Sequence, residues 1–428
     1  MKTSILLDHE PVAAGRVVRL LLRLETEAPA STDRLPLNLS LVLDRSGSMY
    51  GGKLEAARAA AAQLVRRLAP DDVVSVVAYD DQVQTVAEPA QGAAQAGLPA
   101  EIEAIEPGGS TNLSGGWLRG RELVARNRLE RGVNRVILMT DGLANVGITE
   151  PLRLTGLTSQ AKKDGVTTTT IGFGADYSEH LLRAMADGGG GNMYYIEEED
   201  QAAAIFADEL QGLLDLGAQN VSIEIRPADA TQLVAVHHDY PSQKSARTIR
   251  VELGDLYARE PKPLLAEFLV TADTVATIAV AELIIAGVVL TADGGVEHQV
   301  ITLPVTLSAE EGARVEPEVR REMLLLEVAR ARREALDRRD RGDIDGAAGS
   351  LRAMTMRIHA AAPHDAELRQ EAHELDALAA DFAADTVSEA DQKYMYHRAY
   401  NTMSGRRMKD ELIRRKTQKR RKEPPPTA

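Results

Sequence analysis

The hydrophobic pattern changes period repeatedly along the first half of the chain. Residues 37–43 (LNLSLVL) form an apolar run without strict alternation, the pattern of a strand covered on both faces of a sheet. Residues 53–68 (KLEAARAAAAQLVRRL) set polar positions along one side of an Ala/Leu-rich stretch, the pattern of a helix. The sequence then predicts a strand at 73–79, a short hairpin partner at 83–87, a weak helix at 98–105 and a helix at 114–127. A strand at 135–140, a helix at 151–163, a strand at 166–172, a helix at 178–186, a short strand at 193–196 and a helix at 201–214 follow. This alternation predicts a mostly parallel sheet with helices on both faces, an α/β doubly wound (Rossmann-like) unit.

Beyond Gly217 the period becomes that of strands alone. Runs at 221–225, 233–237, 248–253, 264–271, 275–281 and 300–307 are strand-length and separated by turn residues, which predicts a β-sandwich module. Residues 17–24 (VVRLLLRL) also read as a strand but have no slot in the α/β unit. They are expected to complete the sandwich, with the α/β unit inserted between. From Glu316 the chain reads as helical, with helices at 317–338, 343–361, 365–381 and 389–403. The expected division is an N-terminal β segment (1–34), an α/β domain (35–217), a β-sandwich (218–312), a helical bundle or arm (313–405) and a basic, disordered tail (406–428).

Composition narrows the chemistry. The 428 residues include no cysteine, which excludes disulfides, thiolate metal sites and cysteine nucleophiles. Aromatics are 4% of the chain, too few for stacking platforms. The formal charge is −14, yet Arg406 through Lys422 carries ten Lys/Arg against Asp410 and Glu411. An acidic body disfavours broad nucleic-acid binding, while the basic tail is left open to nucleic-acid or acidic-protein contact. The N-terminal apolar run stops at Asp8, too short for a signal-peptide core, and the apolar stretch 263–290 is interrupted by Glu267, Asp273 and Glu282. A cytoplasmic protein with no transmembrane segment is the expectation.

Three short segments carry the candidate chemistry. The first, Asp44-Arg45-Ser46-Gly47-Ser48, follows the strand at 37–43, and loops after strand C-termini are the favoured site positions in α/β domains. The second, 107–112 (PGGSTN), puts Thr111 at a glycine-rich helix entrance. The third, Met139-Thr140-Asp141-Gly142, ends the strand at 135–140. If those strands are neighbours, Asp44, Ser46, Ser48, Thr111 and Asp141 gather around one ion. Carboxylates and hydroxyls are hard oxygen ligands that suit Mg²⁺, with Mn²⁺ or Ca²⁺ as alternatives, and not zinc.

DRSGSM at 44–49, GGSTN at 108–112 and TDG at 140–142 resemble, in that order, the metal-ion-dependent adhesion site of von Willebrand factor type A (integrin I-like) domains. The resemblance covers roughly residues 36–216. It implies that Asp44, Ser46, Ser48, Thr111 and Asp141 arrange the metal, some directly and some through water. The overall layout resembles that of bacterial inter-alpha-trypsin-inhibitor-like A-domain proteins. In the A-domain family a partner's carboxylate completes the ion's coordination, so the expected function is metal-dependent protein binding, of adhesion or scaffold type, to a partner presenting Asp or Glu. No general base or nucleophile stands beside the site in the sequence, so an enzyme is not expected; a metal-dependent hydrolase and a purely structural scaffold are the alternatives. Asp80-Asp81 read as a polar turn, Gly188–Gly191 as a flexible turn without a phosphate-loop Lys, and the nine histidines as scattered.

Overall fold

The computed structural model describes all residues except 11–14, 28–33, 93–95, 259, 272–276, 292–294, 309–312 and 407–428. All of the basic tail beyond Arg406 lies outside the described residues. The chain divides into two compact units, one of Met1–Thr26, Ser222–Ala286 and Val300–Ala428, the other of Glu27–Val221 and Gly287–Gln299.

The first unit begins with β1 (Lys2–His9) and β2 (Val17–Glu25). The second contains β3 (Leu37–Asp44), α1 (Gly52–Arg66), β4 (Val73–Tyr79), β5 (Val83–Gln91), α2 (Leu98–Glu103), α3 (Leu113–Arg126), β6 (Val133–Thr140), α4 (Pro151–Lys163), β7 (Thr167–Phe173), α5 (Glu179–Gly189), β8 (Gly190–Ile196) and α6 (Ala202–Leu214). Its six-stranded sheet has the order β5-β4-β3-β6-β7-β8. Strands β4, β3, β6, β7 and β8 run parallel, and β5 closes one edge antiparallel to β4. Every residue of β3, β4 and β6 is buried, as continuous apolar runs between two helical layers require.

Helix α3 approaches this sheet closely because small residues face it. A Cβ on Gly120 would come within 2.4 Å of a Val42 methyl, and one on Gly116 within 2.5 Å of the Tyr79 ring. The glycine run expected as a flexible turn is instead ordered structure. Gly188 and Gly189 end α5, Gly190 caps it in the left-handed conformation (φ 68°), and Gly191 lies in β8. A Cβ on Gly191 would stand 2.1 Å from the Thr168 carbonyl oxygen, so these glycines serve close strand packing and a helix cap. The edge strand β5 is also longer than the expected hairpin partner, reaching Gln91 through register shifts against β4.

The remaining elements are β9 (Leu216–Pro227), β10 (Thr231–Val236), β11 (Ser242–Lys244), β12 (Ile249–Tyr257), β13 (Lys262–Val270), β14 (Thr277–Leu290), β15 (Val296–Ser308), and helices α7 (Pro317–Asp340), α8 (Ile344–Ala361), α9 (Ala366–Ala383) and α10 (Glu389–Met403). They make two antiparallel-type sheets, β1-β2-β13-β10 and β11-β12-β9-β14-β15, and a C-terminal helical bundle. β2 pairs antiparallel with β13, so strands far apart in sequence flank the α/β sheet in the chain. Val319, Leu326 and Ala329 of α7 and Ala399 and Met403 of α10 pack with Leu21 and Leu265 of the four-stranded sheet. The other side of α7 meets the bundle core of Leu351, Leu375, Leu378 and Phe382.

Covered on two sides, α7 buries charge that its sequence pattern would assign to water. Arg332 donates to Glu371 at 2.6 Å, and Arg398 of α10 also pairs with Glu371 and Glu374. Nearby on α10, burial, assisted by the Arg406 charge, lowers the His397 pKa to about 4.

Two outcomes test this packing. Gly120→Ala should lower the stability of the α/β unit, because overpacking of about 1–3 kcal/mol exceeds the helix-propensity gain. Gly156→Ala on the exposed side of α4, where nothing lies within 4 Å of the added methyl, should raise it by up to about 1 kcal/mol in denaturant unfolding. Unfolded histidine binds a proton near neutral pH while folded His397 stays neutral, so stability should fall as pH drops from about 6.5 towards 4, by about 3 kcal/mol from this one group. His397→Gln should remove that part of the pH dependence in paired melts at pH 7 and 4.

Candidate metal centre of the α/β unit

Strand order reverses beside β3. The chain goes from β3 to β4 on one side, then returns to lay β6 on the other, which opens a crevice at the carboxyl ends of β3 and β6. Leu43 stands beside Met139 in the parallel register, so Asp44 ends one strand where Thr140 ends the next and Asp141 follows. Three connections converge there, leading into α1, α3 and α4 respectively.

Backbone hydrogen bonds fix the three loops to one another. Gly47 N–H donates to the Gly109 carbonyl at 2.8 Å, and Gly108 N–H to the Arg45 carbonyl at 2.7 Å. The Asn145 and Val146 amides both donate to the Thr111 carbonyl at 3.2 Å, and Thr111 N–H donates to Asn145 Oδ1 at 2.9 Å. Asp80, expected only as part of a polar turn, is a clamp. Its carboxylate accepts the Gln82 amide at 2.7 Å and the Gly109 amide at 3.1 Å, and its own carbonyl accepts the Asn112 amide at 2.7 Å. Burial opposes its ionisation, but those amides and the Arg45 guanidinium outweigh it and hold the Asp80 pKa below the usual carboxylate range.

Within this frame the side chains meet. Asp44 Oδ1 accepts the Ser46 amide at 2.8 Å, and Oδ2 accepts the Thr140 hydroxyl at 2.6 Å and, more distantly, the Tyr79 hydroxyl at 3.4 Å. Ser46 Oγ and Ser48 Oγ are 3.2 Å apart. Ser48 Oγ donates to Asp141 Oδ1 at 2.6 Å, and Lys53 Nζ to Asp141 Oδ2 at 2.6 Å. Thr111 joins from the second loop: a Cβ on Gly142 would lie 3.4 Å from Ser48 Oγ and 3.7 Å from Thr111 Oγ1. The absent side chain of Gly142 thus leaves a cradle between two hydroxyls on separate loops.

Two carboxylates share this crevice with one ammonium, that of Lys53. Asp44 and Asp141 are both fully buried. Burial pushes the Asp44 carboxyl above the usual range; the Ser46 and Thr140 hydrogen bonds pull it back, and the Asp141 charge adds to the rise. Burial also holds the Tyr79 hydroxyl well above its ordinary value, so it remains a neutral donor.

The five residues named from sequence, Asp44, Ser46, Ser48, Thr111 and Asp141, thus line one crevice. Two buried carboxylates and three hydroxyls form an all-oxygen donor set whose chemistry fits a hard divalent cation. Among the described residues no group of three or more His, Asp or Glu side chains is placed to hold a metal. Sequence reasoning missed Lys53, Tyr79 and Asn145 and undervalued Asp80. Tyr79 and Asp80 had a positional signal, since Tyr79 ends β4 and Asp80 follows it at the same sheet edge. Lys53 reads as an ordinary solvated residue in the first turn of α1.

Residues 38–208 match the family model of the von Willebrand factor type A domain. Domains of this type are in general binding and scaffold modules rather than catalysts. The chain is 30% identical over 274 residues to protein sll0103 of Synechocystis sp., covering 61% of this chain and 64% of that one. It is 30% identical over 234 residues to YfbK of Escherichia coli, covering 54% and 39%, and 29% identical over 167 residues to human inter-alpha-trypsin inhibitor heavy chain H3, covering 37% and 19%. The chain therefore spans less than two thirds of the length of these relatives. Among solved structures, a von Willebrand factor type A protein from Catenulispora acidiphila superposes with a TM-score of 0.68 at 18% identity, over 88% of this chain and 96% of that one. The ArnB paralog VWA2 from Sulfolobus acidocaldarius does so with 0.58 at 16% identity, over 95% and 98%. At these identities the likeness is one of fold, and it extends past the A domain.

Asp80→Ala should destabilise the A domain by about 1–3 kcal/mol, since it strands the Gln82 and Gly109 amides that its carboxylate now accepts. Hydrogen exchange at residues 107–112 should accelerate more than exchange in α1. Equal acceleration of both would mean that Asp80 supports the whole unit rather than the loop.

Proposed function

We propose that the chain is a metal-dependent protein-binding module of adhesion or scaffold type, in which a Mg²⁺-like ion in the A-domain crevice bridges to a carboxylate of a partner protein. The observation that carries this reading is the convergence of Asp44, Ser46, Ser48, Thr111 and Asp141 at one sheet edge, with Ser48 and Thr111 both reaching the space beside Gly142. In this reading Ser46, Ser48 and Thr111 hold the ion through neutral oxygens, and Asp44 and Asp141 supply its compensating charge directly or through water.

Charge favours an acidic ligand. Asp44 and Asp141 offset a divalent ion only formally, and the three hydroxyl ligands beside them are neutral, in a crevice partly shielded from water. An Asp or Glu from a partner supplies a charge-assisted contact and an oxygen for the open coordination position. The acidic body works against long-range capture of such a partner, so the short-range bond to the ion must provide the selectivity.

Calorimetric titration of the metal-stripped protein with MgCl₂ tests the site, with an expected stoichiometry of one. Asp44→Ala should weaken binding by at least the roughly tenfold loss that outer-shell partners of metals already cause. A flat titration for both Mg²⁺ and Mn²⁺ would sink the reading. A partner bound in Mg²⁺ should be released by EDTA and persist at moderate salt, and Thr111→Ala and Asp141→Ala should abolish its capture with little change in circular dichroism. A partner bound equally well in EDTA would rule out the bridge.

A further inference from the structure

The Lys53–Asp141 contact is an ion pair inside the crevice that the metal reading does not use. Lys53 lies in the first turn of α1, immediately after the first loop, and its ammonium reaches across to Asp141 on the third. Asp141 is fully buried, whereas the Lys53 side chain keeps about a quarter of its surface exposed. The stem passes beside Gly174 in the β7–α5 connection. A Cβ there would sit 3.4 Å from both Lys53 Cε and Nζ, so the bare glycine leaves room for the ammonium. Gly174 itself has φ 71°, a conformation that glycine adopts without strain.

The contact has two consequences. It occupies Asp141 Oδ2 while Ser48 occupies Oδ1, so both oxygens of this carboxylate are engaged from within the chain. It also places a positive charge in a pocket where two buried carboxylates otherwise face each other with hydroxyl and amide donors alone around them. A divalent ion drawn to Asp141 meets that charge and competes for the same lone pairs.

We propose that Lys53 is the resident cation of the crevice: its ammonium neutralises Asp141 when no metal is bound and competes with the divalent ion for that carboxylate, thereby setting the metal affinity. This rests on the metal-centre reading above. Lys53 is a positioning and affinity-setting residue rather than a ligand. Its flexible, partly exposed stem lets the ammonium swing towards water when an ion takes its place. The arrangement lets the A domain fold before metal is loaded and makes loading reversible.

The test compares wild type, Lys53→Met and Lys53→Arg, using MgCl₂ titration by calorimetry and thermal unfolding in EDTA. Lys53→Met should bind Mg²⁺ roughly tenfold more tightly, the scale of removing one like charge a few ångström away even at the screening of water. It should also melt at a lower temperature in EDTA and gain more from added Mg²⁺ than wild type does. Lys53→Arg, which keeps the charge, should bind within about threefold of wild type. A second measurement needs no variant. Reductive methylation of Lys53, followed by peptide mass spectrometry of the wild-type chain, should be faster in saturating Mg²⁺ than in EDTA. If wild type binds Mg²⁺ but Lys53→Met binds no more tightly, or if Lys53 reactivity is unchanged by the ion, the competition is overturned while the metal centre stands. If neither wild type nor Lys53→Met binds Mg²⁺, both readings fall together.

Discussion

Two carboxylates, Asp44 and Asp141, are buried side by side where neighbouring parallel strands end. Like charges removed from water raise each other's energy and that of the pocket, and such an arrangement persists only when the surroundings supply compensation. Nearly every feature of the crevice answers this demand. The Ser46 amide and the Thr140 and Tyr79 hydroxyls turn towards Asp44, while the Ser48 hydroxyl and the Lys53 ammonium turn towards Asp141. The three loops are stitched by backbone bonds and by Asp80, so these donors are held in place before any ligand arrives.

The sheet makes that pocket affordable. Strands β3, β4 and β6 are buried on both faces, and helix α3 lies against them through glycines, so the crevice opens at the rim of a closely packed sheet. Tyr79 connects the two levels. Its ring lies under Gly116 of α3, and its hydroxyl reaches the Met139 carbonyl and Asp44. Packing of the core thus fixes the orientation of a carboxylate at the surface end of the sheet.

Elsewhere in the chain buried charge is paired. Arg332, Arg398, Glu371 and Glu374 compensate one another between the helices, and His238 lies 3.3 Å from Glu322. The two guanidinium groups and two carboxylates are matched within the chain, as are Arg135 and Glu209 of the α/β unit at 3.1 Å. At the crevice of the α/β unit one cation, Lys53, faces two buried carboxylates.

The sequence by itself determined the alternation of strands and helices through Leu214, the position of the three loops and the meeting of Asp44, Ser46, Ser48, Thr111 and Asp141 at one sheet edge. Those features are local. Apolar runs set strand and helix period, and short polar segments at strand ends stand out against them. It also indicated the change to strands after Gly217 and the helices from Pro317, where α10 runs over Glu389–Met403. It misread the glycines at 188–191 as a flexible turn, because close packing against Thr168 lies in another strand's backbone and leaves no mark in the glycine run itself. Tertiary structure alone decided that Asp80 clamps the second loop, that α7 buries Glu322 and Arg332, and that Lys53 turns into the crevice. In each case a charged residue that local pattern assigns to solvent is claimed by a partner distant in sequence. Its burial depends on where that partner's strand or helix comes to lie, which no period in the chain encodes.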